Sequence, residues 1–370
     1  MRVGVMGTGQ IAHENVTALQ RTGRVQIVAL CNRTLAKGEA FARIHGLQVP
    51  VYENYMDLLS REKMDAVLIN TPHGHHCEAF LACCEAGVNI MVEKPLATTQ
   101  ADGERMAIAA KQANVDALVC HTQRYLAPML ALRDFLECEE ARSLGALRHI
   151  RDTVDLHYFH QNRPAWFFDP LQAGGGLLLN HGVHQIDRLH VLMGRNTERV
   201  YARLEPAEGY PALDGGYQVM GRAGEATYTM QCGGYYLPQE SVVQLTFERG
   251  SIRMSWKENG LDRAGLWLGT GKEPYKPIPC RYSLRDMYVY QFEAMLDALE
   301  GKPSDAPTLA EACAVMRTVE AVRRSSVLDT VETVQKGFAE DRMARRATYG
   351  GRIRFEAERQ TSGAALEPRA

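Results

Sequence analysis

The chain changes its hydrophobic rhythm once, near residue 125. Before that point, short and nearly continuous apolar runs alternate with segments of helical period. The first run, Val3 to Met6, passes straight into Gly7-x-Gly9-x-x-Ala12, and a helical pattern follows to about Arg21. Further runs lie in "VQIVALC", "DAVLIN", "VNIMVE" and "DALVC", separated by helix-like "LAKGEAFARIHG", "CEAFLACCEAG" and "ADGERMAIAAKQANV". Unbroken apolar strands with helices between them predict a parallel sheet covered on both faces, with ligands gathering at the carboxyl ends of the strands.

After Tyr125 the pattern is different. "LAPMLALRDFLE" reads as an amphipathic helix and "GALRHIRDTVDLHY" as the start of a strand with polar alternation. The aromatic-rich "QNRPAWFFDPLQA" reads as a loop, and "GGGLLLNHGVHQIDRLHVLMG" as a single helix ending before Gly194. "ERVYARLE", "GEATYTMQC", "SVVQLTFERG" and "SIRMSWK" alternate as antiparallel strands with one wet face, and two helical segments follow, "YVYQFEAMLDALEG" and "LAEACAVMRTVEAVRRSS". The expected organisation is a dinucleotide-binding domain over residues 1–125 and an α/β substrate-binding domain over 126–340. A polar tail, 341–370, is expected to be partly disordered. Val242, Leu245 and Phe247 are placed near a shared face of a broad sheet. The helices after residue 200 are too few to cover both its sides, so a homodimer or homotetramer through that sheet is expected.

Composition narrows the class. The 370 residues are 45% hydrophobic and 23% charged, with a formal net charge of -2, which gives no pull toward nucleic acid or an anionic membrane. No apolar run reaches the roughly 18 residues of a membrane span, and the N-terminus has no signal-peptide pattern. Nine scattered cysteines without a Cys-x-x-Cys pair fit a reducing cytoplasm and argue against a zinc site.

The glycine pattern has the strand–turn–helix context of a dinucleotide fingerprint. Gly7 permits the turn, Gly9 a close approach of backbone to pyrophosphate, and the helix opening at Gln10 and Ile11 offers free N–H groups. Asn32, Arg33 and Thr34 end the second strand, where an NAD-selective site usually carries a carboxylate; without one, the chemistry leans to NADP over NAD. Thr71 and Pro72, with His76 just beyond, and Glu93 and Lys94 occupy later strand ends on the same side. Lys94 is either a cation reaching across the cofactor or a surface lysine. In the glycine-led helix, Asn180, His184 and Asp187 fall at i, i+4 and i+7 on one face. A metal needs three or four convergent ligands, and only two are in view, so no metal is assigned. His184 is either a proton-transfer group or a hydrogen-bonded histidine at a domain interface. Tyr158, His160 and Trp166, in the polar-aromatic run, are candidate substrate contacts.

The glycine start, "TPHGHHCEAFLACCEAGVNIMVEKPLA" and "GGGLLLNHGVHQIDRLHVLMG", in this order, resemble the Gfo/Idh/MocA oxidoreductases over residues 1 to roughly 330. The resemblance implies a Rossmann domain holding NAD or NADP and a second α/β domain with an open, mostly antiparallel sheet, commonly packed against another subunit. It implies oxidation of a secondary alcohol, or reduction of the ketone, on a sugar, cyclitol or related hydroxy compound. Lys94 would then approach the reacting oxygen and His184 act as acid/base. Asn180 departs from the family, which usually has an acid there, but an amide can still hold a substrate hydroxyl. Two alternatives share the resemblance: a glycosidase- or eliminase-like enzyme that oxidises its substrate transiently with tightly bound NAD, and a non-enzymatic sensor. Retention of Lys94 and His184 speaks against the sensor.

Overall fold

The computed structural model describes residues 1–159, 163–258 and 261–337. His160 and the tail 341–370 lie outside the described residues. The apolar runs of the first third become β1 (Arg2–Met6), β2 (Gln26–Cys31), β3 (Val51–Tyr52), β4 (Ala66–Ile69), β5 (Asn89–Glu93) and β6 (Ala117–Cys120). Between them run α1 (Gln10–Arg21), α2 (Leu35–Ile44), α3 (Tyr55–Arg61), α4 (His76–Glu85) and α5 (Gln100–Ala113). The six strands are parallel in the order β3-β2-β1-β4-β5-β6. The chain reverses direction across the sheet between β1 and β4, which opens a crevice at their carboxyl ends. Val3, Val5, Ala66 to Ile69 and Ile90 to Val92 are all fully buried, which is why these strands read as unbroken apolar runs. β3 and α3 carry too little apolar periodicity to stand out in the sequence.

The second domain begins with α6 (Ala127–Leu136), short α7 (Glu139–Arg142) and β7 (Leu147–His157). One-turn α8 (Pro170–Ala173) precedes a π-helical turn, Leu178–Gly182, that leads into α9 (Val183–Met193). Strands β8 (Arg199–Ala207), β9 (Tyr210–Ala223), β10 (Ala226–Gly233), β11 (Tyr235–Phe247), β12 (Gly250–Glu258), β13 (Leu261–Gly269) and β14 (Lys276–Pro277) follow. Then come α10 (Met287–Leu299), α11 (Leu309–Leu328) and β15 (Glu332–Thr333). The nine-stranded sheet runs β14-β13-β12-β11-β7-β10-β9-β8-β15 and is antiparallel except where β7 pairs with β10. Helices α6, α9 and α11 pack on the face that carries Ile150, Val154, Met230, Val243, Leu245 and Ile252.

Two expectations need correction. Val243, Leu245 and Phe247 share the buried face, whereas Val242 lies on the opposite one beside Gln244, because strand side chains alternate with a period of two. Helix α10, assigned by sequence to the second domain, completes the core of the first. Its Val289, Phe292 and Met295 pack with Val3, Val5, Leu30 and Leu68. Arg24 of the first domain pairs with Asp297 and Glu300 at 2.8 Å each, and Arg21 with Asp286 at 2.6 Å.

Candidate active site

A cavity of about 1290 Å³ opens at the carboxyl ends of β1, β2, β4 and β5 and is closed on its far side by residues of the second domain. Its floor is the β1–α1 turn. Gly7 has φ 87°, and a Cβ there would sit 2.7 Å from the Asn70 carbonyl oxygen, so a side chain is excluded twice over. A Cβ on Gly9 would meet no protein atom within 4 Å; it would project into the cavity itself. Just beyond, α1 presents its N-terminus with no acidic residue in the first turn. The buried Thr71 hydroxyl, also in the wall, has no partner in the protein. Open space above Gly9, a free helix start and an unpaired hydroxyl fit a dinucleotide lying with its phosphates on α1.

At the β2 end, the Asn32 amide donates to the Thr8 hydroxyl, and its carbonyl accepts from Thr34 N at 2.9 Å. The Asn32 side chain therefore shapes the turn. Exposed Arg33, Thr34 and Lys37 line this end of the cavity, with Glu53 across from them.

At the end of β5, the buried Glu93 carboxylate accepts from Asn15 Nδ2 at 2.8 Å and from Lys94 N at 3.1 Å. Burial raises the Glu93 pKa, against the opposing pull of Lys94. Lys94 follows in a cis Lys94–Pro95 segment and donates from Nζ to the Asn180 carbonyl at 3.0 Å. Burial pushes its ammonium down to about 8; Glu93 opposes that shift and Arg163 adds to it. His76 bridges the ends of β4 and β5, its ring nitrogens 2.9 Å from the carbonyl oxygens of Pro95 and Thr71. The residue lines the cavity with the other cofactor candidates.

The glycine run exists because backbones crowd it: a Cβ on Gly176 would clash with the Asp214 main chain, whose carboxylate caps Gly176 N at 3.0 Å and Leu178 N. The wide π turn shifts Asn180 off the regular α-helical register, whereas His184 and Asp187 both face His121, whose ring is 6.1 Å from that of His184 and whose Nδ1 is 4.0 Å from the Asp187 carboxylate. Asn180 stands in the cavity wall, and its side-chain amide has no protein partner among the described residues. Asp187 pairs with Arg124, a buried bidentate contact at 2.6 and 2.8 Å. The next residue, Arg188, makes a second buried pair with Asp152 at 2.7 Å. Together these pairs fix the rotation of α9.

His184 is outside the cavity lining and 9% exposed. Its Nδ1 is sealed without a partner in the protein. His121 and His181 face it edge-on, with centroids 6.1 and 5.9 Å away. Burial, then Lys94, His181 and His121, hold its pKa well below the ordinary histidine value. His190 is remote from the cavity, bonded to Thr197 at 3.0 Å.

Of the predicted substrate contacts, Trp166 lines the cavity, stacked on Phe167 at 3.9 Å. Tyr158 does not: it is 2% exposed, and its ring is a platform for the Arg163 guanidinium, 3.8 Å above the centroid. Gly7, Gly9, Gln10, Ile11, Asn32, Arg33, Thr34, Thr71, Pro72, His76, Glu93 and Lys94 all line one cavity. Sequence reasoning passed over Arg163, His121 and the Arg124–Asp187 pair. An arginine amid aromatic residues was a visible signal for the first; nothing local marks the others. Among the described residues, no cluster of three His, Cys, Asp or Glu could hold a metal, and no helix is long and apolar enough to cross a membrane.

This arrangement is that of a two-domain oxidoreductase whose first domain is a Rossmann fold. Residues 1–121 match the oxidoreductase family, NAD-binding Rossmann fold, and residues 133–253 match the GFO/IDH/MocA C-terminal domain. The chain belongs to the GFO/IDH/MocA family. It is 30% identical over 193 residues to 1,5-anhydro-D-fructose reductase of Ensifer adhaerens, 52% of this chain and 56% of that protein. It is 28% identical over 203 residues to trans-1,2-dihydrobenzene-1,2-diol dehydrogenase of Xenopus laevis, 54% of this chain and 59% of that one. The matches thus span little more than half the length of these curated relatives. The fold superimposes on levoglucosan dehydrogenase in complex with NADH and levoglucosan with a TM-score of 0.81, at 18% identity over 91% of this chain and all of that one. An oxidoreductase domain protein from Kribbella flavida gives 0.79 at 22% identity, over 90% and 99%.

Proposed function

We propose that this chain is an NAD(P)-dependent dehydrogenase or reductase that interconverts a secondary alcohol and a ketone on a sugar, cyclitol or related polyhydroxy compound. The observation that carries this is one cavity holding both the Gly7–Gly9 turn and Lys94, with Asn180 bonded to that lysine. When bound, the nicotinamide accepts or donates the hydride at the substrate carbon. Gly9 and the start of α1 would hold its phosphates, and Arg33 and Thr34 favour a 2′-phosphate, hence NADP. Lys94, cationic below about pH 8, stabilises negative charge on the reacting oxygen. His184, kept neutral by burial, would take the hydroxyl proton in oxidation and return it in reduction, a transfer that needs a relay from the cavity because His184 is not in its lining. The Asn180 amide orients a neighbouring hydroxyl.

In oxidation the bound cofactor would supply the hydride acceptor, and the hydroxyl proton would pass to His184. Lys94→Ala and His184→Ala should each lower kcat by on the order of 10²–10⁴-fold with cofactor affinity nearly unchanged. Near-normal turnover in either variant removes that residue from the mechanism. The face of the large sheet that carries Arg151, Thr229, Val242 and Gln244 lies opposite the packed helices, and we place a homodimer or homotetramer contact there. A monomeric mass at micromolar concentration would contradict it.

A further inference from the structure

The substrate end of the cavity carries more positive charge than a neutral polyol needs. Arg163 lines it, together with Lys94, Trp166, Phe167 and Asn180. Its guanidinium carbon sits over the Tyr158 ring, 3.8 Å from the centroid, and 4.7 Å from that of Phe167, and its Nε donates to the Tyr158 carbonyl at 2.6 Å. These contacts fix the plane of the group and leave its two terminal nitrogens without an acceptor among the described residues. Arg163 makes no ion pair there either. The nearby histidines bring no compensating charge, since burial holds His73 and His181 neutral. The carboxylate nearest Lys94, Glu93, is turned toward Asn15 and the Lys94 backbone.

A half-buried guanidinium with no counter-ion costs free energy that a pairing anion returns. Its planar fork matches the two oxygens of a carboxylate or a phosphate. Position decides whose anion it is. The cofactor's phosphates would lie on the start of α1, whereas Arg163 is close enough to Lys94 to lower its pKa.

We propose that Arg163 is a substrate-specificity residue and that the natural substrate is a hydroxy compound bearing an oxyanion, a carboxylate or a phosphate. The inference rests on the dehydrogenase reading and names its substrate class. The aromatic pair Trp166–Phe167 walls the anion off from solvent, and Lys94 remains committed to the oxygen that reacts.

The test is calorimetric titration of the full-length, NADP-loaded protein at constant ionic strength with D-gluconate, L-malate and inorganic phosphate, against D-glucitol as the neutral control. At least one oxyanion should bind saturably and at least tenfold more tightly than D-glucitol. In Arg163→Gln the ratio of anion to glucitol affinity should fall on the order of 10- to 100-fold. Arg163→Lys, which keeps the charge and loses the fork, should restore part of it. Gluconate and phosphate separate a carboxylate from a phosphate substrate. No saturable anion binding, an unchanged ratio in Arg163→Gln, or an equal loss of NADP affinity in that variant would overturn the proposal. Anion binding without hydride transfer from any hydroxy acid to NADP would instead sink the dehydrogenase reading and leave the anion site standing. Fast turnover of neutral polyols, unaffected by anions, would do the reverse.

Discussion

Glu93 is the carboxylate that keeps Lys94 charged, and exchanging it for glutamine isolates that effect. Burial alone would carry the lysine further down; the buried Glu93 opposes it, and the balance lies near 8. Glutamine has the same size and can still accept from Asn15 Nδ2, so the perturbation is mostly electrostatic. Losing this opposite charge should lower the Lys94 pKa by about one to two units. At pH 7.5 the parent is about three-quarters protonated, and a variant with the pKa near 6.5 only about one-tenth. The sign follows. With Lys94 in its proposed role as a cation, activity is lost as pH rises through its pKa, and a lower pKa moves that loss to lower pH. The Glu93→Gln enzyme should therefore be several-fold slower in kcat/KM at pH 7.5 and close to the parent near pH 6. The assay is the pH profile of kcat/KM, read as the position of its alkaline limb. Arg163→Gln, which removes a cation acting on the same lysine, should move the limb the opposite way. An alkaline limb that stays in place in both variants, or a loss independent of pH, would refute the electrostatic account of Lys94.

Gly9→Val should abolish NADP and NAD binding and leave Tm within a few degrees of the parent, since the new side chain meets no protein atom and fills only the cavity; retained cofactor affinity would mean the phosphates lie elsewhere. Arg33→Ala should lower kcat/KM with NADP selectively, and an equal effect on NAD would remove Arg33 from cofactor choice. Asp187→Asn strips the buried Arg124 of its bidentate partner and leaves Glu311 at 3.4 Å, so denaturant unfolding should register a loss of about 3 kcal/mol. A loss under about 1 kcal/mol would show that the pair does not anchor α9. On the acid side, the lowered His184 pKa keeps the ring neutral, so kcat/KM for oxidation should hold until the pH falls below the ordinary histidine range; an acid limb at or above that range would contradict it.

The parts of this molecule that sequence made legible are those governed by local rules. The βαβ order of the first domain follows from apolar runs buried on both faces, and Gly7 from a turn that only glycine can make. What stayed hidden depends on contacts between distant segments. Helix α10 is amphipathic in any reading, but that its Phe292 and Met295 face the first domain is decided by packing more than 250 residues from Val3 and Val5. The expected face of Asn180, His184 and Asp187 assumed regular α-helical steps, and the π turn at Leu178–Gly182 breaks them because Asp214, from β9, seizes the backbone entering it. Tyr158 looked like a substrate contact since an aromatic residue beside a loop suits either role; its burial under Arg163 could not be read from one segment. The family resemblance supplied what local rules lacked, by linking the strand-end lysine to the distant glycine-led helix.

The central claim is net hydride transfer between a hydroxy substrate and a nicotinamide in the cavity above Gly9. The most direct measurement is nicotinamide absorbance during turnover with added NADP or NAD, across polyols, sugars, cyclitols and their acids, in parent and Lys94→Ala proteins. The account predicts a steady, substrate-dependent formation of reduced cofactor that Lys94→Ala slows by at least about a hundredfold. Product formed with no net change in cofactor, or a signal that Lys94→Ala leaves intact, would contradict it.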